Sequence, residues 1–216
     1  MSELLSEKQR LRIQARHKLS IARHGYQPQA LYWSSREVQQ VRFKKLSELL
    51  PRNQACSVLD VGCGFGDLKA YLEQQGFKID YQGIDLSQDM LNSARFQYPE
   101  IKVQQGDLFD LNPTDQQFDF ILLSGSLNEV VETELEGTAE HQGRYAKAVI
   151  HKMFDSCKKG VAFNLLDARH AWVQSRSDLQ SFTPYEVAEY CQTFASQVTW
   201  EDGYLDNDFT VFLYRD

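Results

Sequence analysis

Between Val58 and Leu68 the chain reads Val-Leu-Asp-Val-Gly-Cys-Gly-Phe-Gly-Asp-Leu, a short apolar strand turning through three alternating glycines into an amphipathic helix. Glycine adopts positive φ at little cost and carries no Cβ, so the turn can be tight and a ligand can lie against bare main chain. The helix behind it aims unpaired N–H groups at the same spot. Such a strand–turn–helix unit belongs to an α/β sheet whose ligands sit beyond the carboxyl ends of parallel strands.

The rest of the chain repeats the unit. Strands are predicted over 57–62, 79–85, 101–105, 118–124 and 161–166, with helices between them. Ser87 is a plausible helix N-cap, Gly76 a helix stop, and Thr183-Pro184-Tyr185-Glu186 pairs a capping box with Pro at the first helical position. Two strand-like runs, 197–200 and 209–214, follow with a turn at 206–208. The expectation is a doubly wound, mostly parallel seven-stranded sheet with an antiparallel last strand. Residues 1–50 read as a helical extension and 51–216 as the ligand-binding domain.

At 216 residues and net charge −7 the chain suits one acidic globular domain, a poor match for a polyanion such as nucleic acid. Its four cysteines are scattered without a C-x-x-C pair, so no zinc site or disulfide framework is expected. No apolar run reaches membrane-spanning length and no secretory h-region is visible, which reads as a cytoplasmic protein. The first 24 residues stand apart, with six Lys/Arg against two Glu. Leu11, Ala15, Leu19 and Ala22 fall there at helical spacing. This reads as an amphipathic helix lying on the domain, or more sharply as a lid.

Asp85 follows Gly66 by 19 residues, close to the ~20 that sets a carboxylate on a ribose diol. The loop is G-x-G-x-G, however, and not the G-x-G-x-x-G that seats a dinucleotide pyrophosphate. Asp67, in the first helical turn, would repel a diphosphate. A nucleoside attached to a cationic centre fits better, which disfavours an NAD-dependent oxidoreductase.

Four segments together resemble a class I S-adenosylmethionine-dependent methyltransferase: 58–66, Gly83-Ile84-Asp85-Leu86-Ser87, Gly106-Asp107-Leu108 and Phe118-Asp119-Phe120-Ile121. The resemblance covers roughly residues 57–130. It implies S-adenosyl-L-methionine as methyl donor and S-adenosyl-L-homocysteine as product. Asp60 with Gly62, Cys63, Gly64 and Gly66 would hold the methionyl end, and Asp85 beside Leu86 the ribose. Asp107 and Leu108 would take the adenine, with Ser124 and Asn128 near the sulfonium and the acceptor. A non-catalytic module that binds the same compound is the alternative.

The acceptor is expected to be a small molecule. Leu123-Ser124-Gly125-Ser126-Leu127-Asn128 departs from the Asn/Asp-Pro-Pro-aromatic run of enzymes that methylate planar amino groups. No carboxylate cluster suggests a metal, and the acidic stretch 132–140 suits no phosphate backbone. Where the acceptor must lose a proton, a base is needed. Candidates are His24, His141, His151, His170 and the tyrosines, with His170 preferred because it follows the fifth strand. The aromatic runs His24-Gly25-Tyr26 and Tyr32-Trp33 could cover the same mouth.

Overall fold

The computed structural model describes residues 5–111, 118–131 and 143–215. The sheet runs β3-β2-β1-β4-β5-β8-β7, where β1 is Cys56–Val61, β2 Ile79–Asp85, β3 Val103–Gln105, β4 Phe118–Ser124, β5 Cys157–Asp167, β7 Gln197–Glu201 and β8 Asp208–Tyr214. A two-residue strand, β6 (Ser181–Phe182), pairs with the end of β5. β1 through β6 pair in parallel, whereas β8 is antiparallel to both β5 and β7. Because β1 lies between β2 and β4, the chain reverses direction across the sheet at β1, the switch point where a crevice opens.

Local signals set most helix ends. Ser87 caps α4 (Gln88–Gln97) by accepting from the Met90 N–H, and Thr183 with Glu186 forms the capping box of α7 (Pro184–Gln192). Gly66 precedes α3 (Asp67–Gln74) in the left-handed region. α5 occupies Arg144–Ser156. β5 runs longer than the sequence suggested, and β3 shorter. The Ile101 N–H still closes the turn after α4 on the Tyr98 carbonyl, so ladder pairing begins at Val103. β6 and the short α6 (Ala171–Gln174) carry no periodic signal and were not anticipated.

The two faces of the sheet are covered differently. α5 and α7 pack on Leu59, Val61, Ile121, Leu123, Val161, Phe163, Leu165, Phe209, Val211 and Leu213. On the other face α2 (Arg36–Ser47) and α3 cover Val58, Phe120, Leu122, Ala162 and Phe212 through Phe43, Leu46, Leu68 and Leu72. α2, which the sequence division groups with the extension, thus packs into the core of the domain.

α1 (Glu7–His24) reverses an expectation. Leu11 and Leu19 are 56% and 72% exposed, and the buried side carries Gln9, Ile13 and Ser20. The physical reason is what lies beneath: the helix crosses the strand ends, where main-chain carbonyls and carboxylates take its polar side chains. Gln9 Nε2 donates to the Val131 carbonyl (2.7 Å) and Gln14 Nε2 to that of Leu86 (3.1 Å). Arg10 grips Asp110 (2.8 Å), and Arg16 pairs with Glu129 (2.7 Å). Among the described residues no helix is long and apolar enough to cross a membrane.

Candidate active site

A cavity of about 460 Å³ opens at the carboxyl ends of β1, β2 and β4, within the ~300–1,000 Å³ usual for small-molecule sites. Its floor is the glycine turn. The Gly62 and Cys63 N–H groups donate to the Ile84 carbonyl, tying the turn to β2. The three glycines divide the work. A Cβ on Gly64 (φ +53°) would meet Leu31 at 2.8 Å, so this residue admits the segment after α1. A Cβ on Gly66 (φ +76°) would meet Ile101 at 2.3 Å, so its bareness serves packing against the turn after α4. Gly62, Cys63 and Gly64 line the cavity; Gly66 does not.

Asp85 ends β2 and is buried. Its Oδ2 accepts from the Gly64 N–H (2.9 Å) and its Oδ1 from the Ser87 N–H (2.8 Å). A carboxylate offers about four acceptor positions, so each oxygen keeps one for a vicinal diol. Asp107, also buried, caps the Phe109 N–H with Oδ1 and accepts the Tyr145 hydroxyl on Oδ2 (2.8 Å). Burial, chiefly, holds the Tyr145 phenol protonated well above its usual range. Leu86, Leu108, Leu123 and Val149 give the same region an apolar wall. Two carboxylates with spare lone pairs beside an apolar slot suit a nucleoside.

Asp60 lies on β1 beneath the turn and accepts the Tyr81 hydroxyl on Oδ2 (2.7 Å). Burial pushes its carboxyl up to about 7, against the pull of the Tyr81 bond and with added repulsion from Asp85 and Asp67. Asp67 is not free to repel: Arg36 (2.9 Å) and Gln39 (3.2 Å) both engage its Oδ2. Its charge therefore counts less against a diphosphate than the sequence suggested. The position of Gly66, spent on Ile101, still does.

Asp60, Asp85, Leu86, Asp107, Leu108, Ser124 and Asn128 all line the one cavity. His170 does not; it precedes α6, and Trp172 of that helix reaches the cavity instead. His24 is exposed, His151 stacks on Phe194 (4.3 Å), and His141 lies outside the described residues. The aromatic runs separate. Tyr32 and Trp33 line the mouth, while Tyr26 packs on Phe65. Sequence reasoning passed over His17, Arg42 and Gln39, which line the cavity from α1 and α2. The signal for His17 was its spacing from Ile13, four residues earlier on the buried face of α1. Arg42 stacks on Trp33 (4.2 Å) and pairs with buried Asp208. The nine-residue acidic stretch 132–140 lies outside the described residues.

Residues 58–148 match a family model described as a methyltransferase domain. A Mycobacterium tuberculosis protein described as a methyltransferase is 26% identical over 160 residues, covering 74% of this chain and 93% of that one. A trans-aconitate 2-methyltransferase of Variovorax paradoxus is 32% identical over 108 residues, 49% of this chain but 40% of that protein. Among solved structures, DhpI in complex with SAH superposes over 100% of this chain and 98% of its own with a TM-score of 0.64 at 18% identity, a likeness of fold.

Proposed function

We propose, from the premise that this chain belongs to the class I S-adenosylmethionine-dependent methyltransferase superfamily, that its cleft seats S-adenosylmethionine with the ribose on Asp85 and the adenine beside Asp107 and Leu108. The enzyme passes the methyl group to an acceptor, which we take to be a small molecule, and leaves S-adenosylhomocysteine. The observation that carries this reading is the Asp85 carboxylate, held by two main-chain N–H groups at the switch point with lone pairs to spare.

When bound, the sulfonium supplies an already activated methyl group. What remains for the protein is alignment, and orientation alone can contribute ~7–11 kcal/mol to a displacement. Asp60, Gly62, Cys63, Gly64 and Ser124 face the methionyl end of the cleft. The acceptor side is bounded by Tyr32, Trp33, Asn128, Trp172 and Leu179. α1 closes over it as a lid, and so a small acceptor is favoured over a polymer. The trans-aconitate relative supports the same reading by its name. For an acceptor that must lose a proton, His17 is better placed than His170, being the histidine that lines the cavity among the described residues. The four free, buried thiols support a reducing compartment such as the cytoplasm.

Calorimetry on the parent and on Asp85→Ala tests the assignment. The parent is expected to bind S-adenosylmethionine and S-adenosylhomocysteine in the micromolar range and NAD not at all. Losing two hydrogen bonds to a charged group should weaken the variant by about a hundredfold or more. Tight NAD binding, or an Ala variant that binds like the parent, overturns the reading.

A further inference from the structure

On the α2 side of the sheet the apolar layer stops short of the cavity. Ser124 of β4, Asn164 of β5 and Thr210 of β8 stand in register across three neighbouring strands. Asn164 and Thr210 are 0% exposed. Buried polar side chains cost free energy unless satisfied, and these satisfy one another. The Ser124 hydroxyl donates to Asn164 Oδ1 (3.0 Å), Asn164 Nδ2 donates to Thr210 Oγ1 (2.9 Å), and the Tyr204 hydroxyl closes the row on Thr210 (2.7 Å). Only Ser124, at one end, lines the cavity; Asn164, Thr210 and Tyr204 stand behind it.

A serine hydroxyl has one proton. With that proton directed at Asn164, Ser124 presents only lone pairs to the cavity. Asp60, on the adjoining strand, projects to the same face, because its register partner is Leu122, two residues before Ser124. Its Oδ2 already accepts from Tyr81, so it too offers acceptors. With the Asp60 carboxyl ionised, this corner of the cleft accepts hydrogens and donates none from either side chain, which matches a cationic ligand.

We propose that Asn164, backed by Thr210 and Tyr204, is a positioning residue that fixes Ser124 as a hydrogen-bond acceptor for the methionyl ammonium of the cofactor. The proposal rests on the cofactor assignment above. Asn164 touches no ligand and acts through the direction it imposes on one O–H bond.

The test compares two ligands by calorimetry: S-adenosylhomocysteine, and its analogue with hydrogen in place of the α-amino group. In the parent, loss of the ammonium should cost about tenfold or more in affinity. In Ser124→Ala and Asn164→Leu that ratio should fall by about fivefold or more, and in Thr210→Val by a smaller factor, because the amide keeps its place but loses its acceptor. A purely structural role would weaken both ligands alike and leave the ratio unchanged. Ser124→Ala, a truncation at the cavity edge, keeps the comparison measurable should a buried variant fail to fold. A parental ratio in Ser124→Ala, or in folded Asn164→Leu and Thr210→Val, overturns the proposal while S-adenosylhomocysteine still binds. Absence of S-adenosylhomocysteine binding to the parent overturns the cofactor assignment itself.

Discussion

The same strands make two unlike faces. Toward α5 and α7, side chains such as Leu123, Leu165 and Phe209 remain apolar to the strand ends. Toward α2, the apolar series Val58, Leu122, Ala162, Phe212 gives way at one level to Asp60, Ser124, Asn164 and Thr210, with Asp208 above them. Alternation along each strand lets one backbone carry both. The contrast separates two tasks: the first face supplies apolar contact throughout, the second gives it up at one level for directed polar groups at the cleft.

Three substitutions can break or sharpen this contrast. The largest effect is expected on the apolar face. Phe163→Ala should lower unfolding free energy by ~3–5 kcal/mol in urea titrations, with the affinity of the folded protein for S-adenosylhomocysteine changed less than about twofold. A tenfold change in affinity would mean that the faces are not independent.

Next comes Asp60, whose folded carboxyl sits near 7, above its unfolded value. A raised acid pKa means that the folded state holds the proton longer. The group therefore costs nothing at low pH, costs progressively more as pH rises from about 4 to 7, and costs a constant amount above. Asp60→Asn should then gain ~3–4 kcal/mol on the parent between pH 4 and pH 8, on the order of ten degrees in Tm. A gap in Tm independent of pH would show that the site tolerates the charge.

Smallest is Arg10→Ala, which unlatches α1 from Asp110. Partly exposed ion pairs contribute under ~1 kcal/mol, so association of S-adenosylhomocysteine should speed up only about two- to fivefold. Salt should bring the parent toward the variant, because screening weakens the same contact. Identical stopped-flow rates at every salt concentration would remove the helix from the access route.

The alternating strands, the capping residues at Ser87 and Thr183 and the cleft residues Asp85 and Asp107 were legible because each follows from local chemistry at a strand end or helix start. The face of α1 was not. Hydrophobic spacing assumes an apolar surface beneath a helix, and here the surface is a rim of carbonyls and carboxylates that favours Gln9, Gln14 and Arg16 over Leu11. The Ser124–Asn164–Thr210 row was equally hidden, because its members lie 40 and 46 residues apart and meet only through strand register. His17 escapes notice for the first of these reasons: hydrophobic spacing points to the opposite face of α1.

That β8 runs against its neighbours has a further result. Its beginning, and not its end, reaches the cleft, so Thr210 joins Asn164 from a strand the ribosome makes last among the described elements. Translation at ~5–20 residues per second puts on the order of ten seconds between Asp85 and Thr210. A nascent chain that has already shaped its nucleoside grip would still lack the backing for Ser124. Competence for the cofactor should thus arrive in a single late step, and a growing polypeptide cannot hold the methyl donor in its final manner before that strand docks.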